Sequence, residues 1–363
     1  MQSTFGKMLK ITISGESHGE QIGVRMQGFP ANEAVDLQAV EAFLRRRAPG
    51  NDPFSTTRKE PDKPEVLSGI ANDVTDGAAI EAMIHNQNQH SNDYESLRFI
   101  PRPSHADYPA RVKYGESLDL RGGGHFSGRL TAPLCFAGAI CLQYLARRGI
   151  YIGAHIAQIA DVKDDRFDAV KVSKEDFDAL HKKPFCVINS KAGTQMQTRI
   201  LQARSEGDSV GGVIEVAVVG LPVGLGTPLY DGLESRLAAN FFGIPAVKGV
   251  DFGSGFDAAL MRGSQHNDPY TVDPETGVIR TLTNHAGGCV GAITTGMPLI
   301  LRAAFKPTPS IAKTQLSVDL QTKETVELNI KGRHDPCIVP RALPVTEAMA
   351  AITITDLLLE DAQ

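Results

Sequence analysis

Residues 7–14 and 22–27 alternate or run apolar over short stretches, the pattern of strands on a half-buried sheet. Asp36 then stands as a helix N-cap before DLQAVEAFLRRR, which has helical apolar spacing and ends in Arg45, Arg46 and Arg47. The pattern lapses in APGNDPFSTTRKEPDKP, residues 48–64, which predicts a long loop of the kind that closes over ligands. TAPLCFAGAICLQYLARR from Thr131 and RALPVTEAMAAITITDLLL from Arg341 are apolar on nearly every face and predict buried helices, an inner layer. Between them lie strand-like pieces, GGVIEVAVVGLP (211–222) and MPLILRAAF (297–305), and a helix around 193–206. The series predicts an α+β sandwich as one continuous domain over residues 1–363. A doubly wound parallel sheet is the competitor, but no strand runs into GxGxxG or GxxxxGK[ST].

Composition narrows the class. With 363 residues, 42% hydrophobic and 22% charged, the chain reads as soluble and globular. A net charge of −5 argues against a general nucleic-acid binder while leaving room for local basic pockets. Five cysteines without a CxxC pair indicate neither a disulfide framework nor a metal site, and point to the reducing cytosol. No targeting segment is read at the N-terminus, and no uninterrupted apolar run approaches the roughly 18 residues of a membrane span. A cytoplasmic protein with no membrane partner is expected.

The residues that carry chemistry recur as glycine beside histidine, arginine, lysine or serine at the ends of apolar elements. GESHG presents Ser17 and His18 between two glycines, and RPSHADY supplies His105 and Asp107. LRGGGHFSGR supplies Arg121, His125, Ser127 and Arg129, and NHAGGCVGAITTG supplies His285 and a cradle of backbone N–H groups. In KPTPSI, Lys306 precedes two hydroxyls, and in GRHDPC, Arg333, His334 and Asp335 crowd before a buried helix. Singly, each reads as a solvated turn or an ordinary helix cap. Together they describe an anion pocket.

In this order, with EGDSVGG and IPAVKGVDFGSGF, these segments resemble the chorismate synthase family from about residue 5 to residue 356. The resemblance implies a β-α-β sandwich with central helices between two sheets, assembled as a homotetramer. It implies a 1,4-anti elimination of phosphate from 5-enolpyruvylshikimate 3-phosphate, giving chorismate. Reduced FMN is required without net redox change, with NADPH as candidate reductant.

By the same resemblance His18 is the general acid toward the leaving phosphate, Ser17 orients it, His105 controls flavin charge, and Asp335 assists proton removal. Arg46, Arg47, Arg129, Ser127 and Arg333 are implied to hold the substrate's anions, Arg46 also NADP. Flavin contacts are implied for His125, Phe126, Ser127, Pro245, Ala246, Gly291, Lys306, Pro307, Thr308, Pro309, Ser310 and Arg333. The chain departs from the family's RGGGRSSARET at His125, Phe126 and Leu130, and Arg58 is the one candidate for a second arginine after the triple arginine. A flavoprotein oxidoreductase and a non-catalytic anion-binding protein stay open as alternatives. Stoichiometric NADPH consumption would mark the first, absence of phosphate release the second.

Overall fold

The structure, a computed structural model, describes residues 1–50, 60–86, 99–115, 118–330 and 334–362. Arg58 and Arg333 lie outside the described residues.

Two five-stranded antiparallel sheets enclose a layer of helices. The first runs in the order Gln2–Phe5, Lys10–Gly15, Gln21–Gln27, Ile80–His85, Pro64–Ser68. The second runs Val247–Phe252, Leu299–Phe305, Gly212–Val219, Tyr151–Ile159, Val162–Lys163. Every pairing is antiparallel, so the parallel competitor is set aside.

Helix Thr131–Ala146 packs on the first sheet and helix Val339–Asp361 on the second, and the two helices pack on each other. Their close approach is set by Gly138, where any Cβ would collide with Ala348. By length and composition Gly128–Ala146 and Val339–Asp361 could each cross a membrane, but 78% and 89% of their apolar windows are buried inside the protein. An apolar helix covered on all sides is what a middle layer demands.

Alternation decides which way each strand faces. Ile214, Val216 and Val218 point into the main core, whereas Ala217 and Ile300 join Phe167, Val172, Phe177 and Leu180 in a smaller cluster on the outer face of the second sheet. Helix Leu37–Arg47 begins where its cap predicts, with Asp36 Oδ1 accepting from the Ala39 amide at 3.0 Å. Its last turn reaches the inner helices and the mouth of the main cavity.

Candidate active site

A cavity of about 470 Å³ opens where the glycine-rich turns meet the start of the C-terminal helix. That volume lies within the roughly 300–1,000 Å³ usual for small-molecule sites. Its floor is the turn Arg121–Phe126, in which Gly122, Gly123 and Gly124 have φ of 58°, 94° and 55°. Only glycine suits three successive left-handed positions, and here there is a second reason. A Cβ on Gly122 would stand 2.5 Å from His18 Nε2 and 2.9 Å from Ser17 Oγ, and one on Gly123 would stand 3.2 Å from His105 Nε2. The turn is the seat on which both histidines rest.

Cations line the cavity: Arg47, Arg102, Arg129, Lys306 and Arg341. Arg47 is 3% exposed and donates to Thr131 Oγ1, to Asp62 Oδ2 at 2.5 Å and to the Gly128 carbonyl. Arg129 also pairs with Asp62 and donates through Nε to Asn86 Oδ1 at 2.9 Å. Burial alone would raise the Asp62 carboxyl, but Arg47 and Arg129 together hold it below its ordinary value. Arg129 Nη2 and Thr308 Oγ1 are buried with no hydrogen-bond partner among the described residues. Both belong to cavity-lining residues, as donors an anion would satisfy.

Arg341 donates to Asp335 Oδ2 at 2.5 Å and to the Arg47 carbonyl at 3.2 Å, which ties Asp335 to the start of the C-terminal helix. Lys306 Nζ donates to the Ser104 carbonyl at 2.5 Å. Burial, and then the charge of Lys248, lower its pKa. Ala246, a cavity residue without glycine's freedom, has φ 74°, a strained conformation of the sort found at ligand sites.

Of the residues singled out in the sequence, Ser17, His18, Arg47, His105, Phe126, Ser127, Arg129, Pro245, Ala246, Lys306, Thr308, Pro309, Ser310 and Asp335 converge on this cavity. Arg46, Asp107, Arg121, His125, His285, Gly291 and Pro307 do not line it. Arg46 turns the other way, with Nη1 and Nη2 donating to the buried Glu347 carboxylate at 2.6 and 3.0 Å. His125 donates from Nδ1 to the Gly15 carbonyl at 2.8 Å, and its Nε2 accepts from Ser3 Oγ at 2.9 Å. Both ring nitrogens thus have partners in the N-terminal strands, to which His125 forms a bridge. Pro307 lies off the cavity, and Gly291 sits in the hairpin turn between Cys289–Val290 and Ile293–Thr295.

Sequence reasoning missed Arg102, Asp62 and Arg341. Arg102 opens RPSHADY, but a residue preceding proline reads as a turn element. Asp62 lies in a charged loop, and Arg341 reads as an ordinary start to an apolar helix. Only the fold shows that all three point inward.

The family profile described as chorismate synthase matches residues 9–359. Chorismate synthases of Korarchaeum cryptofilum and Thermococcus gammatolerans are 45% and 46% identical to this chain, covering 97% and 98% of it and 96% and 97% of their own lengths. A solved chorismate synthase crystal structure matches with a TM-score of 0.76 at 29% identity, covering 98% of this chain and 93% of that one. The chain belongs to the chorismate synthase family.

Proposed function

We propose that this cavity removes phosphate from 5-enolpyruvylshikimate 3-phosphate by 1,4-anti elimination, with His18 as the acid toward the leaving group. The observation that carries this reading is the seating of His18 and His105 on adjacent glycines of one turn, facing a cavity lined by five cations. A substrate with two carboxylates and a phosphate needs such a lining, although the whole chain carries −5.

Arg47 and Arg129 hold anionic groups of the substrate, and Ser17 and Ser127 orient them. His18 places a proton near the departing phosphate oxygen, where a nearby dianion favours its charged form. Asp335, held by Arg341, accepts the proton removed from carbon.

Flavin dependence is a family trait, and the residues fit such a group. Lys306 and the unpartnered Thr308 Oγ1 offer donors, while Phe126, Ile244, Pro245 and Val345 offer apolar surface to a ring. Reduced FMN, when bound, supplies electron density to the allylic system. Thr308, Pro309 and Ser310 would hold it, and His105 would face it.

NADPH as the reductant, a cytoplasmic setting and a single-domain homotetramer complete the reading. Leu229, Tyr230, Phe256, Leu260 and Tyr270 are 73%, 93%, 87%, 87% and 77% exposed, and exposed apolar side chains of this size favour subunit contacts.

The test is anaerobic phosphate release from 5-enolpyruvylshikimate 3-phosphate with photoreduced FMN. Turnover without NADPH consumption is expected, and His18→Ala should lower kcat by roughly 10²–10⁴-fold with the fold retained. A loss below tenfold would remove His18 from the acid role, and no release by the unaltered protein would overturn the function.

A further inference from the structure

We propose that Arg102 and Asp107 are positioning residues that hold the proton of His105 on Nδ1, so that Nε2 meets the cavity as a proton acceptor. The inference rests on the reading of His105 as a working residue of this site.

The local chain builds the arrangement. Ser104 has φ 57°, and the His105 amide closes a turn onto the Arg102 carbonyl at 3.2 Å. That turn delivers Asp107, 8% exposed, as the first residue of helix Asp107–Tyr114. Arg102 grips Asp107 with both edges of its fork, Nε to Oδ2 at 2.7 Å and Nη2 to Oδ1 at 2.8 Å, and its own amide reaches Oδ2 at 3.0 Å. Arg102 Nη1 reaches Ser310 Oγ at 3.3 Å, which joins this loop to the one carrying Lys306.

His105 Nδ1 stands 2.7 Å from Asp107 Oδ1. A ring nitrogen and a carboxylate oxygen come that close only with a proton between them. Burial alone would raise the Asp107 carboxyl, yet Arg102 and His105 hold it far below its ordinary value, so the proton resides on the ring. Arg102 Nη2 lies 3.2 Å from Nδ1, but its closer acceptor is Oδ1. The opposite ring edge, Nε2, stands over Gly123. Among the described residues, Arg102 and Asp107 of its own loop contact His105, and Lys306 reaches the adjacent Ser104 carbonyl. A histidine so held takes or shares a proton at Nε2, and its orienting carboxylate does not itself turn over.

The experiment is nitrogen-15 NMR of the histidine-labelled full chain, with the His105 resonances identified by a His105→Gln variant. The unaltered protein should show the Nδ1–H tautomer. In Asp107→Asn the amide oxygen stays at the Oδ2 position, where the Arg102 amide and Nε are both obligate donors. The Asn NH₂ and Arg102 Nη2, which loses its Oδ1 acceptor, then both donate toward Nδ1 and drive the proton to Nε2. The same variant should lose on the order of 10²–10⁴-fold in single-turnover rate, while Asp107→Glu, which keeps a carboxylate, should hold the Nδ1–H form and recover part of the rate. An Nε2–H tautomer in the unaltered protein overturns the proposal whatever the variants do. A tautomer change with the rate held within threefold overturns the positioning role. The spectrum is read without turnover, so failure of the proposed reaction would be seen separately.

Discussion

At the scale of single residues, the glycine turn does what no side chain could. His18 and His105 come from segments nearly ninety positions apart, and they share a floor because residues 122 and 123 carry no Cβ. Gly122→Ala should therefore act on His18 and not on the fold as a whole. The new methyl group would stand 2.5 Å from His18 Nε2, and a left-handed position costs a non-glycine residue about 1–2 kcal/mol. We expect kcat to fall at least tenfold with a modest drop in Tm. Gly128→Ala is the control, since a Cβ there meets nothing within 4 Å and its φ is not left-handed. Equal activity in the two variants would show that His18 has room to move away. His125 gives the converse lesson. Its residue type suggested a partner for an anion at the cavity, whereas its two hydrogen bonds run to Ser3 and Gly15.

At the scale of elements, the triple arginine ending helix Leu37–Arg47 separates into three fates. Arg45 pairs with Glu41 one turn back, Arg46 with Glu347 of the C-terminal helix, and Arg47 with Asp62 beside the cavity. Burial alone would raise Glu347, but the charge of Arg46 and then His181 hold it down to about 2 from an ordinary 4.5. The folded state thus binds this proton more weakly than the unfolded chain. The stabilisation is complete above about pH 4.5 and is lost as pH falls through about 2. Arg46→Ala leaves a buried carboxylate short of its main partner and should cost about 3–5 kcal/mol at pH 7, with the substrate KM little changed. Urea unfolding at pH 7 and pH 3.5 should show the gap between variant and parent narrowing at the lower pH. Unchanged stability with a KM raised ten- to a hundredfold would instead restore Arg46 to the substrate clamp. The helix, its Asp36 cap and the two apolar inner helices were legible in sequence because spacing and capping are local. Which arginine faced the cavity was not, since a register of one residue turns a side chain by about 100° and the partners, Glu347 and Asp62, lie elsewhere in the chain. The GESHG, RPSHADY, RGGG and KPTPS segments announced the cavity by residue type, whereas the Arg102–Asp107 grip on His105 depends on a backbone turn that no residue pattern specifies.

At the scale of the whole molecule, buried charge ties the layers together. Asp356 of the C-terminal helix accepts from the amides of Lys7, Met8 and Leu9, which anchors the first sheet to the inner layer, and Arg236 pairs with it from another helix. Across the second sheet His155, Glu215, Arg302 and Asp251 stand opposite one another on four neighbouring strands, with alternating sign. His155 is fully buried, with Nδ1 3.0 Å from Asp164 Oδ2 and Nε2 3.0 Å from Glu215 Oε2. A neutral ring has one N–H and would turn a lone pair toward one of these carboxylates, so only the imidazolium satisfies both. Burial alone would lower its pKa, but Asp164 and Glu215 raise it above the ordinary 6.5. A raised folded value means that the stabilisation from His155 is complete below about 6.5 and is lost as pH rises through the shifted value. The carboxylates work in the other direction. Despite burial, Glu215 and Asp164 are both lowered, chiefly by His155, so their contribution is complete above 4.5 and 3.8 and fails as pH drops. The cluster therefore holds the sheet most firmly on the mildly acidic side of neutrality. His155→Gln should unfold at a lower Tm than the parent at pH 6, by the loss of about 3–5 kcal/mol expected when one member of a buried pair is removed. The difference should shrink as pH rises from 6.5 toward 9, because the parent gives up its proton while glutamine has none to lose. A Tm difference constant over that range would mean that His155 sits neutral between its carboxylates and that its role is packing against Phe167, whose ring centroid lies 4.6 Å away.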